Sequence, residues 1–376
     1  MPIYKMDGKK DGKQRYRVRV NCIDNYGKAK QHERIAYGLD SAKQLERELL
    51  YKIKEEVPAV ALSIENLFAE YIKVKKYEVR ETTLNITITT INRYVLPYLK
   101  DIKLNKLTIP KLQEWKRSIE ELNLSVTTRK DIYGVFCAML NFAVKMQYIS
   151  KNPLPVVGNF KDPLEQKREM KYYTAEEFKK FIEAAKEIAK QNEEKGSLSK
   201  WNFYVFFNIA FFTGMRKGEI NALQWTDIKG NCISITKSVA QKLKGGDRIT
   251  PPKNRSSIRT IQIPEPLSRV LNEHYSRSSG INGFSEQWFI CGGIRPIRDT
   301  SIQKELKRYA DTAGVKVIRV HDFRHSHASL LANEGINIQE VARRLGHSQI
   351  SMTWNTYSHL YPREEERAIQ ILNKIV

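Results

Sequence analysis

The sequence is poor in the features that mark secreted, membrane-spanning and metal-scaffold proteins. Its 376 residues include four cysteines (Cys22, Cys137, Cys232 and Cys291), which are scattered and form no Cys-x-x-Cys pair. That spacing argues against a zinc ribbon and a disulfide framework and suits a reducing compartment. No run of about 18 apolar residues occurs, so no membrane span is expected. No apolar stretch follows the first basic residues as in a secretory signal peptide. The expectation is a soluble, cytoplasmic protein with no membrane partner. Acidic residues are also scarce, 42 against 64 Lys and Arg. No carboxylate cluster of the kind that holds two catalytic metals is visible, and neither a metal nor another cofactor is expected.

What is present points to a polyanion. The formal net charge is +22, and an excess of that size favours nucleic acid as the partner. Hydrophobic residues make up 41% of the chain. That is enough for real cores, in a chain too long for one, so two or three domains are expected.

The chain reads as multidomain, mainly α with small β elements. Residues 1–57 form a small sheet followed by a helix. Tyr16, Val18, Val20 and Cys22 alternate with Arg15, Arg17 and Arg19, which gives an apolar face and a basic one. Asn25-Tyr26-Gly27 supplies a turn and residues 30–37 a returning strand. Asp40 and Ser41 can cap a helix with Ala42, Leu45, Leu49 and Ile53 as its stripe. A β-ribbon with exposed arginines fits the major groove; the plainer alternative is a solvated basic face.

Residues 58–157, set off by Val57-Pro58, read as four helices: from Ser63, over 80–96, from Thr108, and over 129–147, the last stopped at Asn152-Pro153. Residues 158–173 read as a linker, charged over 162–171. Thr174-Ala175-Glu176-Glu177 is a capping box that opens a mainly helical unit over 174–376. This unit has strand-like pieces at 232–236, 257–263 and, more weakly, 288–290.

Four stretches in this last unit carry chemistry. In Thr213-Gly214-Met215-Arg216-Lys217-Gly218-Glu219, an apolar helix delivers Arg216 to a turn. Pro252-Lys253-Asn254-Arg255-Ser256-Ser257-Ile258-Arg259 leads into an alternating strand and offers a lysine. In His321-Asp322-Phe323-Arg324-His325-Ser326-His327, helical spacing sets His321, Arg324 and His325 on one face. A zinc reading of His-Asp-x-x-His is disfavoured, because Arg324 would place a fixed cation beside the metal. Last comes Leu345-Gly346-His347-Ser348, with Tyr357 ten residues after the histidine. Two guanidiniums can grip one phosphodiester and stabilise its pentacoordinate transition state. Histidines move protons near neutral pH, and a tyrosine among such cations can act as nucleophile.

At these residues the chain resembles the tyrosine recombinase, or phage integrase, family. Arg216 with Leu223-x-Trp225-x-Asp227-Ile228 resembles its first arginine box; His321-x-x-Arg324, Leu345-Gly346-His347-Ser348 and Tyr357 resemble the second. Residues 1–57 are similar to the arm-binding domain of integrases from conjugative transposons and related phages of Gram-positive bacteria. The resemblance implies a three-stranded N-terminal sheet plus helix, a SAM-like four-helix core-binding domain and a mixed α/β catalytic domain. It implies Arg216 and Arg324 as phosphate-binding arginines, with His321 and His347 active in proton transfer and phosphate contact. Lys253 would be the general acid, Glu219 a supporting residue and Tyr357 the nucleophile, giving a 3′-phosphotyrosine. Asn254 after Lys253 departs from the family pattern, so Lys237, Lys242 and Lys244 stay open as alternatives. Trp354 also departs from it.

The expected function is integration and excision of a mobile element through a Holliday junction, without metal, by a homotetramer on double-stranded DNA. Core-type and arm-type sites, and excision and DNA-bending accessory proteins, are the implied partners. Phage and conjugative-transposon origins stay open. A C-terminal helix over 363–375, apolar along Ala368, Ile371, Leu372 and Ile375, is expected to dock on a neighbouring protomer or on its own domain. The alternatives are a type IB topoisomerase and a non-catalytic DNA-binding regulator.

Overall fold

The structure is a computed structural model that describes residues 3–23, 29–56, 62–161, 169–241, 246–252, 255–361, 369 and 372–373, with backbone alone at 22–23, 29–30, 52–56 and 255. The chain divides into two compact units, Met1–Gln166 and Lys167–Val376. Several expectations lie outside the described residues: the Asn25-Tyr26-Gly27 turn, the side chains of Cys22 and Ile53, Val57-Pro58, Lys242, Lys244 and Lys253. The same holds for nearly all of the helix expected over 363–375.

The first unit opens with a three-stranded antiparallel sheet in the order β1-β2-β3: β1 (Ile3–Lys10), β2 (Lys13–Ile23) and β3 (Ala29–Tyr37). Asp11 and Gly12 join β1 to β2 with both φ angles positive, 52° and 74°, the left-handed conformation that tight hairpins require. Helix α1 (Leu39–Glu56) follows. Val18 and Ala42 are fully buried, with Tyr16, Leu45 and Leu49 packed around them, so the apolar face read from the alternation is the inner one.

The helical part comprises α2 (Ile64–Glu78), α3 (Glu81–Tyr94), α4 (Leu96–Leu99), α5 (Ile109–Glu120), α6 (Val126–Lys145) and α7 (Leu154–Val157). Ser63 and Ser125 each accept a backbone N–H, from Asn66 and Thr128, both at 3.2 Å, and so cap α2 and α6. The helix expected over 80–96 breaks at Val95. Pro97 lacks an N–H, and inside a continuous helix its ring would strike the carbonyl four residues back. The chain therefore starts the new short turn α4. Leu67, Ile91, Leu112, Trp115, Phe136 and Leu140 share one core.

The second unit contains α8 (Ala175–Glu194), α9 (Ser199–Thr213), α10 (Lys217–Ala222), β4 (Ile228–Lys229), β5 (Cys232–Ile235), β6 (Ser238–Ala240), β7 (Arg248–Thr250), β8 (Arg259–Gln262), α11 (Glu265–Ser279), α12 (Asp299–Ala313), α13 (Asp322–Asn333), α14 (Ile338–Leu345) and α15 (Ile350–Tyr357). Thr174 and Glu177 form the expected capping box at α8. Helix α9 is buried nearly all round, from Trp201 to Thr213, and α8, α11 and α13 pack against it. A sheet of order β4-β5-β8 and a separate β6-β7 hairpin lie beside this helical core. Residues 288–290 do not form a strand. Phe289 makes isolated bridges to Gln224 and Gly293, which tie down a loop. Among the described residues no helix is long and apolar enough to cross a membrane. Mainly helical units with small sheets are the architecture expected from the sequence.

Candidate active site in the C-terminal unit

Helix α9 ends at Gly214, whose φ is +64°. A Cβ there would lie 2.8 Å from both His327 Cδ2 and Leu345 Cδ2, so only glycine lets the chain turn this close to α13 and α14. The turn sets Arg216 at the N-terminus of α10. Its backbone N–H donates to Glu219 Oε2 at 3.0 Å, and its Nη1 donates to Glu219 Oε1 at 2.9 Å and Ser257 Oγ at 3.2 Å.

Glu219 is buried and also accepts Arg259 Nη2 at 3.0 Å. Burial pushes its pKa up, but Arg259, the Arg216 N–H and the Arg216 charge outweigh burial and hold it below the ordinary carboxylate range. Arg259 in turn donates to Arg344 O at 2.7 Å and Ser257 O at 2.9 Å. Its guanidinium underlies Gly346, where a Cβ would lie 2.9 Å from Nη1.

Arg324, in the first turn of α13, is 3% exposed. Its Nη1 donates to Gly214 O at 2.9 Å, while its Nη2 is buried with no partner among the described residues. Burial, then Arg216, disfavour its charge, which an anion would relieve.

His347 follows the left-handed Gly346 and meets Thr353 Oγ1 through Nδ1 at 2.7 Å. Burial, then Arg324, Arg216 and Arg259, bring its pKa down to about 4, so it is neutral at pH 7. His321 stands exposed at the start of α13. Its pKa is also pushed down, to about 4, first by desolvation, then by His325 and Arg324.

Tyr357 closes α15 and is 2% exposed. Burial pushes its pKa up to about 12, against the pull of Arg324. Its hydroxyl meets His325 Nδ1 at 2.7 Å.

Arg216, Glu219, Arg324 and His347 are thus linked by contacts and charge, and Tyr357 and His321 join them through His325 and Arg324. Lys253 lies outside the described residues, and Lys237 is engaged elsewhere, paired with Asp227 at 3.0 Å. Sequence reasoning included Ser257 and Arg259 in the basic stretch but gave them no role, and it missed Thr353 and the contact of His325 with Tyr357. A signal for Arg259 was available: it shares strand parity with the buried Ile261 and Ile263, so a charge was to be expected on the inner face. His327, adjacent in sequence to the site, is structural, its Nδ1 donating to Phe211 O at 2.9 Å. Among the described residues no group of three His, Cys, Asp or Glu side chains is placed to hold a metal ion.

On the N-terminal sheet, Arg15, Arg17 and Arg19 stand in register with Tyr37, Ile35 and Glu33. Glu33 bridges two of them, Oε1 to Arg17 Nε and Oε2 to Arg19 Nη2, both at 3.1 Å.

A fold of this kind around paired arginines, histidines and a tyrosine defines a class of DNA strand-transfer enzymes. The model of the Phage integrase family matches residues 171–364, and that of the phage integrase N-terminal SAM-like domain matches residues 63–119. The chain belongs to the phage integrase family and is a tyrosine-type site-specific DNA recombinase. It is 28% identical over 293 residues to the ICEBs1 integrase of Bacillus subtilis strain 168, covering 76% of each chain. Against the integrase of Staphylococcus phage L54a, identity is 24% over 325 residues, covering 81% of this chain and 90% of that one. Among solved structures, the Tn1549 transposon integrase in complex with a circular intermediate DNA matches with a TM-score of 0.65 and 18% identity, over 84% of this chain and all of that one. A lambda integrase tetramer bound to a Holliday junction matches with a TM-score of 0.55 and 15% identity, over 97% of each. These two likenesses show the fold.

Proposed function

We propose that this recombinase integrates and excises a mobile element, cutting each strand through a 3′-phosphotyrosine at Tyr357. The observation that carries the reading is Arg324 Nη2, a buried cationic donor without a partner among the described residues, in a guanidinium electrostatically coupled to Arg216. A scissile phosphate between the two arginines satisfies that donor and receives charge-assisted hydrogen bonds as negative charge grows on its oxygens. His321 and His347, neutral at pH 7, are proton carriers and phosphate contacts. Glu219 fixes Arg216, and Lys253 protonates the departing 5′-oxygen. The positive charge comes from arginines, so the reading requires neither metal nor other cofactor.

The same reading divides the chain into an arm-binding part (1–57), a core-binding part (58–157), a linker (158–173) and a catalytic part (174–376). Arg15, Arg17 and Arg19 meet arm-type DNA. Four protomers pair two core-type duplexes and exchange strands through a Holliday junction, with the helix over 363–375 docking on a neighbour. Excision and DNA-bending proteins set the direction. The likenesses to the ICEBs1 integrase and to the Tn1549 and lambda proteins support this assignment.

The test is a suicide duplex carrying the element's end, nicked near the cleavage point, with the enzyme in EDTA. An SDS-resistant adduct in the wild type that vanishes in Tyr357→Phe is expected. An adduct that persists in the variant moves the nucleophile elsewhere, and one that needs added metal ends the metal-free reading.

A further inference from the structure

We infer that His325 is the proton acceptor for Tyr357, a role separate from those of His321 and His347. The inference rests on Tyr357 being the nucleophile. Among the described residues, the hydrogen bond of the Tyr357 hydroxyl is to His325 Nδ1, at 2.7 Å. Helical spacing creates the contact: His325 follows Arg324 on α13 and presents its ring toward the end of α15, the two ring centroids 5.8 Å apart. The His321 ring also packs edge-on against His325, at 5.2 Å between centroids.

A proton acceptor must be neutral at working pH. His325 satisfies this, its pKa lowered by burial and by Arg319 and Arg324 against the opposing pull of Asp322. Asp322 is itself turned toward Arg319, with which it pairs at 2.8 Å, so that carboxylate does not hold the imidazole in its charged form. The charged and titratable groups facing His325 are therefore Asp322, Arg319, Arg324, His321 and Tyr357. With Nδ1 free of a proton, the phenol donates to it.

The tyrosine is a poor acid, its pKa raised to about 12. No phenolate therefore stands ready in the resting enzyme, and the proton moves as the bond to phosphorus forms. Tyr357 Oη bonds to phosphorus, its proton passes to His325 Nδ1, and the bond from phosphorus to the 5′-oxygen breaks. The leaving oxygen takes its proton from the general acid. In rejoining, the 5′-hydroxyl attacks, the tyrosine oxygen leaves, and His325 returns the proton. His347 is bonded to Thr353 instead, and its neutral ring suits a phosphate contact.

The experiment measures adduct formation on two suicide duplexes, one normal and one with sulfur in place of the scissile 5′-bridging oxygen. The sulfur leaving group needs no general acid, so it isolates the tyrosine side of the reaction. Tyr357→Phe gives no adduct on either duplex; an adduct there overturns the nucleophile assignment itself, before His325 is at issue. His325→Asn keeps an oxygen acceptor near the Nδ1 position but cannot take up a proton. It is expected to bind DNA like the wild type yet cleave both duplexes about 100-fold more slowly at pH 7.5, the scale of general base catalysis. The deficit narrows as pH rises toward 10, because the small phenolate fraction of a tyrosine with a pKa of about 12 grows about tenfold with each pH unit and needs no acceptor. If His325→Asn misfolds, as judged by lost DNA binding, His325→Gln is read in the same way. Cleavage of the sulfur duplex within about threefold of wild type by a variant that binds DNA overturns the proposal, as does a deficit that does not change with pH.

Discussion

Glu219 and Arg259 form an ion pair of 3.0 Å in which the side chains are 3% and 5% exposed. The other carboxylate oxygen carries Arg216, so one buried anion holds two cations in place. Removing it strands Arg259 in the interior without a countercharge. Glu219→Ala is expected to destabilise the catalytic unit by roughly 3–5 kcal/mol, or about 2–4 °C of Tm per kcal/mol. Glu219→Gln, which keeps an acceptor, should lose less. Thermal unfolding measures both, and an unchanged Tm in the alanine variant would mean that Arg259 finds water.

Arg324→Lys separates charge from geometry. A lysine keeps the cation but cannot bond Gly214 O with one nitrogen and a phosphate oxygen with another held in the same plane. Adduct formation on the suicide duplex should fall by about 100- to 1000-fold, as when one transition-state donor is lost. DNA affinity, spread over many phosphate contacts, should change little. Wild-type cleavage by the lysine variant would remove Arg324 from the phosphate.

These two cases show how far the sequence could be read. Arg324 was legible because its partners in the motif lie within a few residues along one helix face. Arg259 was not, because its meaning depends on Glu219, Ser257 and the carbonyl of Arg344, brought together from separate elements. Strand β1 is a similar case. Half of its eight residues are Lys or Asp, and Ile3, Tyr4 and Met6 do not alternate with them, so periodicity gave no signal, although Asp11-Gly12 has the chemistry of the hairpin turn that pairs it with β2. The helical spacing of Leu112, Trp115 and Ile119, and of Ile132, Phe136, Leu140 and Ala143, marks the buried faces of α5 and α6, since burial along a single helix is a local pattern; on α2 the same spacing predicts Leu67, Tyr71 and Val74, of which Val74 is exposed.

Two glycines with the same backbone separate conformational strain from close approach. Gly214 and Gly314 both have φ of +64°, but a Cβ at Gly314 meets no described residue within 4 Å, whereas at Gly214 it meets His327 and Leu345 at 2.8 Å. Gly314→Ala should cost about 1–2 kcal/mol, the left-handed penalty alone. Gly214→Ala should cost a further ~1–3 kcal/mol for overpacking and should slow cleavage by displacing Arg216. Urea titration of both variants gives the difference, and equal losses would refute the packing argument.

Acid should unfold the catalytic unit earlier than carboxylates alone would require. His274 and His327 are each 5% exposed. Burial brings their pKa values down to about 4 and about 3, so the fold keeps them neutral. Above pH 6.5 neither state binds these protons and stability is unaffected. Below 6.5 the unfolded chain binds protons that the fold refuses, so stability falls as pH falls, approaching ~1.4 kcal/mol per pH unit for each histidine. The loss ends near the folded values. Urea unfolding from pH 7.5 to 5 checks the slope, and His327→Gln should flatten it by its own share; an unaltered slope would assign the effect to other groups.

Glu33 offers the sharpest test of the N-terminal sheet. It bridges Arg17 and Arg19 on an exposed face, where such pairs contribute only about 0–1 kcal/mol to stability. Glu33→Gln should therefore leave Tm unchanged. If that face meets arm-type DNA, however, the carboxylate competes with phosphate for both guanidiniums. Removing it should raise arm-site affinity and steepen the dependence of log K on log salt by about 0.9 for each added phosphate contact. Arg17→Ala with Arg19→Ala should do the reverse, and core-site binding should respond to neither change. A fluorescence-anisotropy titration at several salt concentrations reads all three. If Glu33→Gln and the double alanine variant both bind arm duplex as the wild type does, the basic face is a solvated surface, and arm recognition belongs to another part of the chain.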